Sequence, residues 1–248
     1  MPDESRRWYE YFSFHAAPAE FPWDDPYALS REERAAAAAS IQQFQLGENS
    51  EGRHLLFRGD QHSRRAGDPW FVPALRLFIA EEQRHAEWLG RFLDRERIPR
   101  LQHHWVDHVF RSLRRLAGLE LCITVLVTAE CIAVAYYRAL HEATKSPLLR
   151  QICRRILRDE AAHLEYQAST LAALGRGRGV LLATLRYAAH AVFLAITSLV
   201  VWQQHRRVFR ASRYCWLRLC AEALVELARM QARVTPAPQG GAAAFAKE

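Results

Sequence analysis

Residues 80–85 read A-E-E-Q-R-H, and residues 158–163 read R-D-E-A-A-H. Each stretch contains an acidic residue followed directly by Glu-x-x-His. Residues three apart lie on the same face of an α-helix, so Glu82 adjoins His85, and Glu160 adjoins His163. A carboxylate and an imidazole on one helix face can bind the same metal ion, and the repetition of the pattern indicates that the two helices act together.

Two further glutamates occur where a charge is costly. Glu130 interrupts the apolar run L-V-T-A-E-C-I-A-V-A (residues 126–135), and Glu48 lies in F-Q-L-G-E-N-S-E-G (residues 44–52). A buried carboxylate is expensive unless it is paired or binds a metal. Glu51 competes with Glu48, because residues three apart share much of one helix face. Glu48 is favoured, since its Gly-Glu setting matches Ala-Glu at Glu130.

The four acidic positions form a weak internal repeat. Glu48 precedes Glu82 by 34 residues, and Glu130 precedes Glu160 by 30 residues. Each interval corresponds to one helix, a turn and part of a second helix, so each pair can meet at one height in an antiparallel hairpin. Two such hairpins would bring four Glu and two His into one core, as in di-iron and di-manganese helix bundles. The sequence therefore predicts an all-α protein built around a four-helix bundle.

The boundaries of these helices follow from capping signals. Ser30 begins S-R-E-E, a capping box with Glu33, and predicts a long helix to about Arg65. The second predicted helix starts near Pro69 or Pro73 and ends near Glu96. The third spans about residues 105–144 with a break near Gly118, and the fourth spans residues 147–174.

Four segments result from this division of the chain. We expect an extended aromatic arm (residues 1–29), a ferritin-like di-metal four-helix bundle (30–175), a C-terminal helical extension (176–234) and a disordered Pro/Gly/Ala-rich tail (235–248). Two-residue alternation is nearly absent, so no strands are expected.

The pattern over about residues 30–175 resembles the ferritin-like superfamily, which includes ferritins, rubrerythrins, acyl-carrier-protein desaturases and di-iron oxygenases. A-E-E-Q-R-H is especially similar to the first histidine motif of the desaturases. The resemblance implies two iron ions, with a manganese–iron pair as the alternative. It implies that Glu82 and Glu160 bridge the metals, and that the terminal ligands are Glu48 with His85 and Glu130 with His163.

The acids that precede the bridging glutamates have two interpretations. The resemblance implies that Asp159 binds the outer nitrogen of His85 and that Glu81 binds that of His163. Metal-bound histidines usually donate their other N–H in this way. The alternative is that both acids lie at the surface and pair with arginines such as Arg84 or Arg158.

Other positions depart from particular relatives. The chain has no C-x-x-C, which argues against the Cys-rich iron module of rubrerythrins. Leu89 stands where radical-generating reductase subunits have Tyr, and Ile156 stands where arylamine N-oxygenases have a third His. Ala133 and Val134 replace the Thr that several hydroxylases and desaturases carry.

The resemblance implies a non-haem di-iron oxidoreductase. Such an enzyme would activate dioxygen to hydroxylate, N-oxygenate or desaturate an apolar or amphipathic organic substrate, free or bound to a carrier. An external donor would supply electrons, because the chain has no flavin or nucleotide motif. The alternatives are a ferroxidase or iron-handling protein, an RNA-modifying hydroxylase of the same fold, and a metal-free scaffold. An apolar tunnel that reaches Glu130 would favour the oxygenase over the ferroxidase.

The charge balance is basic, with 34 Lys and Arg against 27 Asp and Glu and a net charge of +7. Nearly all of these positive residues are arginines, since Lys145 and Lys247 are the only lysines. Arginine in place of lysine is typical of a high-GC genome, so a nucleic-acid partner is not expected.

Residues 180–202 are very apolar, although Arg186 and His190 interrupt them. Three interpretations stay open: helices packed on the bundle, a membrane-surface element beside the Arg-rich residues 206–218, and a homodimer interface.

Five cysteines without a C-x-x-C spacing predict free thiols in a reducing compartment. The first 20 residues lack an apolar signal core, so a cytoplasmic location is expected, with membrane association as the alternative.

Overall fold

The computed structural model describes residues 2–17, 19–50, 52–104 and 118–234. Over this part of the chain the protein is all-helical and contains no strand, which confirms the all-α prediction. The five cysteines are free, as expected, and only Cys215 is exposed. In chain order the helices are α1 (Pro2–Phe14), α2 (Arg31–Glu48), α3 (Arg53–Ala66), α4 (Phe71–Arg95), α5 (Leu119–Ala143), α6 (Pro147–Leu174), α7 (Val180–Gln204), α8 (Arg206–Ala211) and α9 (Trp216–Val234).

The predicted helix from Ser30 to Arg65 is two helices, so that prediction was wrong. Helix α2 begins with the expected capping box and ends at Glu48, and α3 begins at Arg53. Gly52 adopts a left-handed conformation with φ of 61°, which glycine tolerates better than other residues. The break leaves Glu48 in the last turn of α2. Glu51 lies outside the described residues.

The extended arm was also a wrong prediction for the first residues, because Pro2–Phe14 form a helix. Asp3 and Glu4 lie in its first turn, where negative charge favours a helix N-terminus. Trp8 and Phe12 are buried, and Trp8 Nε1 donates to Ser169 Oγ over 3.0 Å. The aromatic residues thus reach the core from a helix that packs on α4.

The central layer consists of α2 packed on α4 and α5 packed on α6. Helices α4 and α6 begin and end close to the predicted residues, and Pro147 is the first residue of α6. Helix α5 begins after Gly118, where the predicted third helix was expected to break. The earlier part of that prediction, residues 105–117, and the predicted disordered tail, residues 235–248, lie outside the described residues.

The C-terminal helices form an outer layer over α5 and α6. Helix α7 runs in the same direction as α5, since Glu120 contacts Arg186 and Thr128 contacts His190. Helix α9 packs on α5, α6 and α7. Among the described residues, α5 and α7 are long and apolar enough to cross a membrane, but the apolar window is 72% buried in α5 and only 17% buried in α7.

Candidate metal centre

All six predicted metal ligands lie together in the core, at the junction of α2, α4, α5 and α6. They form two groups of four, and within each group one potential ligand atom per residue lies within 4.8 Å of the others. Each group can hold a metal ion, and the two groups share two glutamates. The first group is Glu48, Glu82, His85 and Glu160, and the second is Glu82, Glu130, Glu160 and His163.

The shared glutamates lie against both imidazoles. His163 Nδ1 is 2.7 Å from Glu82 Oε1 and 3.5 Å from Glu160 Oε2, and His85 Nδ1 is 3.7 Å from Glu160 Oε1. None of these contacts has hydrogen-bond geometry. Glu82 Oε1, both Glu160 oxygens and both Nδ1 atoms are buried without a hydrogen-bond partner.

These unsatisfied atoms provide a test of whether a metal fits. Buried polar atoms are nearly always hydrogen-bonded, and leaving one unpaired costs about 1–3 kcal/mol. Here several such atoms converge on one region, and all are oxygens or imidazole nitrogens. A cation bound among them would satisfy them together. The residues therefore fit a metal that prefers carboxylate and imidazole ligands.

The outer nitrogen of each imidazole meets a carboxylate from the opposite helix. His85 Nε2 is 3.2 Å from Asp159 Oδ2, and His163 Nε2 is 3.1 Å from Glu81 Oε2. These are the two pairs that the resemblance implied. When Nε2 donates to the carboxylate, the Nδ1 lone pair is left to face the cluster.

The same two acids also bind arginines. Arg84 donates to Glu81 over 2.6 Å, and Arg155 donates to Asp159 over 2.9 Å. Both acids are nevertheless buried. The alternative prediction, that they lie at the surface, was therefore wrong, although they do pair with arginines. For Asp159 the arginine is Arg155 rather than Arg158.

Burial and crowding shift the pKa values in the cluster. Burial and the nearby Glu82 charge raise the pKa of Glu48 to about 8. Burial and Glu130 raise the pKa of Glu160 well above its usual range. Burial would lower the pKa of His163, but the carboxylates of Glu82, Glu160 and Glu81 together outweigh burial and raise the pKa well above its usual value. The cluster thus attracts positive charge, and protons and metal ions compete for the same atoms.

The pKa values of Glu81 and Asp159, the acids that contact the outer imidazole nitrogens, are shifted in the opposite direction. Burial opposes ionisation of Glu81, but the hydrogen bond from His163 together with the charges of His163 and Arg84 outweighs burial and lowers the pKa. Burial likewise opposes ionisation of Asp159, and hydrogen bonds from His85 and Arg155 lower its pKa. Both acids are therefore held as carboxylates, the form that accepts a hydrogen bond from a ligand imidazole.

Two polar contacts were missed in the sequence. Tyr137 donates its hydroxyl to Glu48 Oε1 over 2.7 Å, and Gln167 Nε2 donates to Glu130 Oε1 over 2.9 Å. Tyr137 follows Glu130 by seven positions, and Gln167 follows Glu160 by seven, which is two helical turns on the same face. A polar residue at that spacing was the available signal. The contacts fix one oxygen of each unshared glutamate.

A cavity of about 380 Å³ reaches the cluster from the surface. Glu48, Glu82 and Glu130 line its inner part, and Gly47 and Ala129 are exposed at its edge. The larger part of its wall is apolar, and most of the apolar side chains come from α4 and α5, including Phe78, Ile79, Cys122, Val125, Leu126 and Ile132. Polar side chains also line it: Gln43, Ser50, Arg53, His54, His104 and His205. Molecules larger than water can therefore approach the carboxylates.

Comparison with known proteins gives no family assignment. No protein-family model matches the sequence, and no curated protein matches it.

Proposed function

We propose that the chain is a ferritin-like di-iron carboxylate protein that uses dioxygen to oxidise an apolar or amphipathic organic substrate. The observation that carries the proposal is the pair of four-residue groups that share Glu82 and Glu160. A carboxylate shared between two groups can bridge two metal ions. In this proposal α2, α4, α5 and α6 are the four helices of the bundle.

The ligand chemistry favours iron, with a manganese–iron pair as the alternative. Four carboxylates and two imidazoles suit redox-active divalent metals, whereas structural zinc sites favour Cys and His in closed tetrahedra. When bound, two iron ions would supply the redox chemistry that dioxygen reduction requires. Glu48 with His85 and Glu130 with His163 would complete the two sites.

The surrounding residues have positioning roles in this proposal. Asp159 and Glu81 hold the imidazole planes through Nε2, so that each Nδ1 faces the cluster. Tyr137 and Gln167 each hold one oxygen of an unshared glutamate. A ligand set that is oriented in advance does not need to reorganise when metal binds.

The cavity favours an organic substrate over ferrous iron as the molecule that is oxidised. Its wall is mainly apolar and it ends at Glu48, Glu82 and Glu130. The apolar part of the wall offers little to a hydrated ferrous ion, but it can bury a hydrocarbon chain, and the polar lining residues such as Arg53 and His54 suit the polar end of an amphipathic molecule. We infer that an external donor supplies the electrons and that the substrate is either free or bound to a carrier.

Metal analysis tests the core of the proposal. Protein purified from iron-fed cells should hold about two iron ions per chain, as expected for a di-iron bundle. Glu160→Ala should lose both, because Glu160 belongs to both groups, and Glu87→Ala, an exposed change on α4, should keep both. Less than about one metal per chain after loading would contradict the di-metal proposal.

A second measurement separates oxygenase from ferroxidase. Oxygen consumption by the reduced, iron-loaded protein should increase when an apolar substrate that fits the cavity is added. Ala129→Phe should reduce that increase while metal content stays unchanged, because Ala129 lines the cavity and is not a ligand. Sustained consumption of ferrous iron with no response to any organic compound would support the ferroxidase instead.

A further inference from the structure

Helix α7 carries an apolar stripe on the outside of the protein. Leu181, Leu185, Val192, Ile196 and Leu199 are between 40% and 75% exposed. Their spacing places them on one side of the helix, because 3.6 residues make one turn. A monomeric soluble protein rarely exposes so long a continuous apolar surface.

The polar residues of α7 do not interrupt this stripe. Arg186, the only charged residue of the helix, pairs with Glu120 of α5. His190 contacts Thr128 of α5 at 2.9 Å, and Ser198 accepts a hydrogen bond from Trp216 of α9. Arg186, His190 and Ser198 thus face the neighbouring helices, on the side of α7 opposite to the exposed aliphatic stripe.

The C-terminal part of the chain, which contains α7, carries a large excess of positive charge. Residues 176–234 contain ten Arg and two Glu, a balance of +8, compared with +7 for the whole chain. Four of these arginines follow directly after α7, and all four are exposed. These four are Arg206, Arg207, Arg210 and Arg213. None of the four forms an ion pair with an acidic residue in the part of the chain that the structure describes.

We propose that the outward face of α7 docks on an anionic lipid bilayer, with the helix lying in the plane of the membrane surface. The aliphatic stripe would enter the boundary between headgroups and acyl chains, and the four arginines would contact lipid phosphates. The helix contacts α5 through Arg186 and His190 and contacts α9 through Ser198, so it lies on the surface of the protein with one side free, which is the geometry of a surface helix. A second copy of the chain is a poorer occupant, because two segments of charge +8 repel each other.

Vesicle sedimentation of the full chain tests this proposal. The protein should sediment with vesicles made of equal parts phosphatidylglycerol and phosphatidylcholine, and much less with phosphatidylcholine alone. Binding should weaken as salt is raised, because exposed charges are screened. No sedimentation with either vesicle would overturn the proposal.

Two variants separate the stripe from the charge. Val192→Glu with Ile196→Glu should weaken vesicle binding at least tenfold, and both side chains are exposed, so helix content and metal content should not change. Replacing the four arginines with Gln should also weaken binding. The matched control replaces four exposed arginines elsewhere with Gln and should bind nearly as the wild type does: Arg31, Arg65, Arg76 and Arg97.

Two results would reject lipid as the occupant. In one, the double glutamate variant binds vesicles as tightly as the wild type, so that basic charge alone explains the binding. In the other, sedimentation velocity shows a dimer that the double glutamate variant dissociates, and vesicles do not compete with it. The second result would assign the face to another copy of the chain.

Discussion

Nε2 of His163 lies 3.1 Å from Oε2 of Glu81, although the two residues are 82 positions apart. The equivalent contact in the other direction joins His85 to Asp159 at 3.2 Å. Each histidine is thus held by the acid that precedes the shared glutamate of the other motif. The two Glu-x-x-His helices, α4 and α6, complete each other's site.

Removing either outer acid should weaken metal binding without removing any metal ligand. For Glu81→Gln and Asp159→Asn we expect metal affinity to fall about 10- to 100-fold, because the imidazole loses the carboxylate that orients it. Titration of the metal-free protein against a competing chelator measures the change. Glu87→Gln is the control, and unchanged affinity in both variants would contradict the orienting role.

Tyr137→Phe should affect one of the two groups. The change removes the hydrogen bond to Glu48, which belongs only to the first group. We expect one of two metal-binding steps to weaken and the free energy of unfolding of the metal-free protein to fall by roughly 1–2 kcal/mol. Isothermal titration and urea unfolding measure these quantities. Gln167→Leu should instead affect the step that involves Glu130, so identical titration curves for the two variants would argue against separate sites.

The two glycines beside Glu48 should respond in opposite ways to alanine. At Gly52 the backbone φ is 61°, and a Cβ would lie 2.5 Å from Ile79 Cδ1, so Gly52→Ala should destabilise the protein by roughly 1–3 kcal/mol. Gly47 lies within α2, where a Cβ would meet nothing within 4 Å. Gly47→Ala should stabilise the helix by about 0.5–1 kcal/mol. Thermal unfolding of both variants checks the contrast, and equal effects would refute it.

Lowering the pH should reduce the contribution of Glu33 to the stability of the folded protein. Burial opposes its ionisation, but hydrogen bonds from Lys145 N, Tyr27 and Ser30 N outweigh it and lower its pKa from 4.5 to about 2. A lowered folded-state pKa stabilises the protein above the unfolded value, and this stabilisation is lost as pH falls from 4.5 through 2.

Glu33→Gln tests this pH dependence. The variant should be less stable than the wild type by about 1–2 kcal/mol at neutral pH. The difference should shrink steadily as pH falls through the window between the two pKa values. Urea unfolding across this range measures it, with Glu20→Gln as an exposed control. A difference that does not depend on pH would show that the charge of Glu33 is not responsible.

Regular helical spacing made the centre of the molecule predictable. Glu82 with His85 and Glu160 with His163 could be placed on helix faces from their three-residue spacing alone, and the repeat located Glu130 and Glu48. The bounds of α4 and α6 followed from proline and glycine signals. These features depend on local geometry, which a sequence pattern reports directly.

The features that were missed depend on tertiary contacts. The break after Glu48 was missed because a lone glycine does not by itself predict a helix end, and the close approach of Ile79 to Gly52 is a tertiary contact. The Pro-rich and aromatic composition of residues 1–29 predicts an extended arm, whereas the burial of Trp8 and Phe12 favours a helix. Neither the partner of Tyr137 nor the cavity can be read from spacing, because both depend on how helices pack.

The contacts of His85 with Asp159 and of His163 with Glu81 also mean that neither half of the chain contains a complete group on its own. Exchanging Glu48, Glu82 and His85 for Glu130, Glu160 and His163 converts one group into the other. A peptide with only one half would lack both its second shared glutamate and the acid that orients its own imidazole. Two copies of such a peptide, paired with two-fold symmetry, would restore both groups, so the centre has the symmetry of a dimer within one chain.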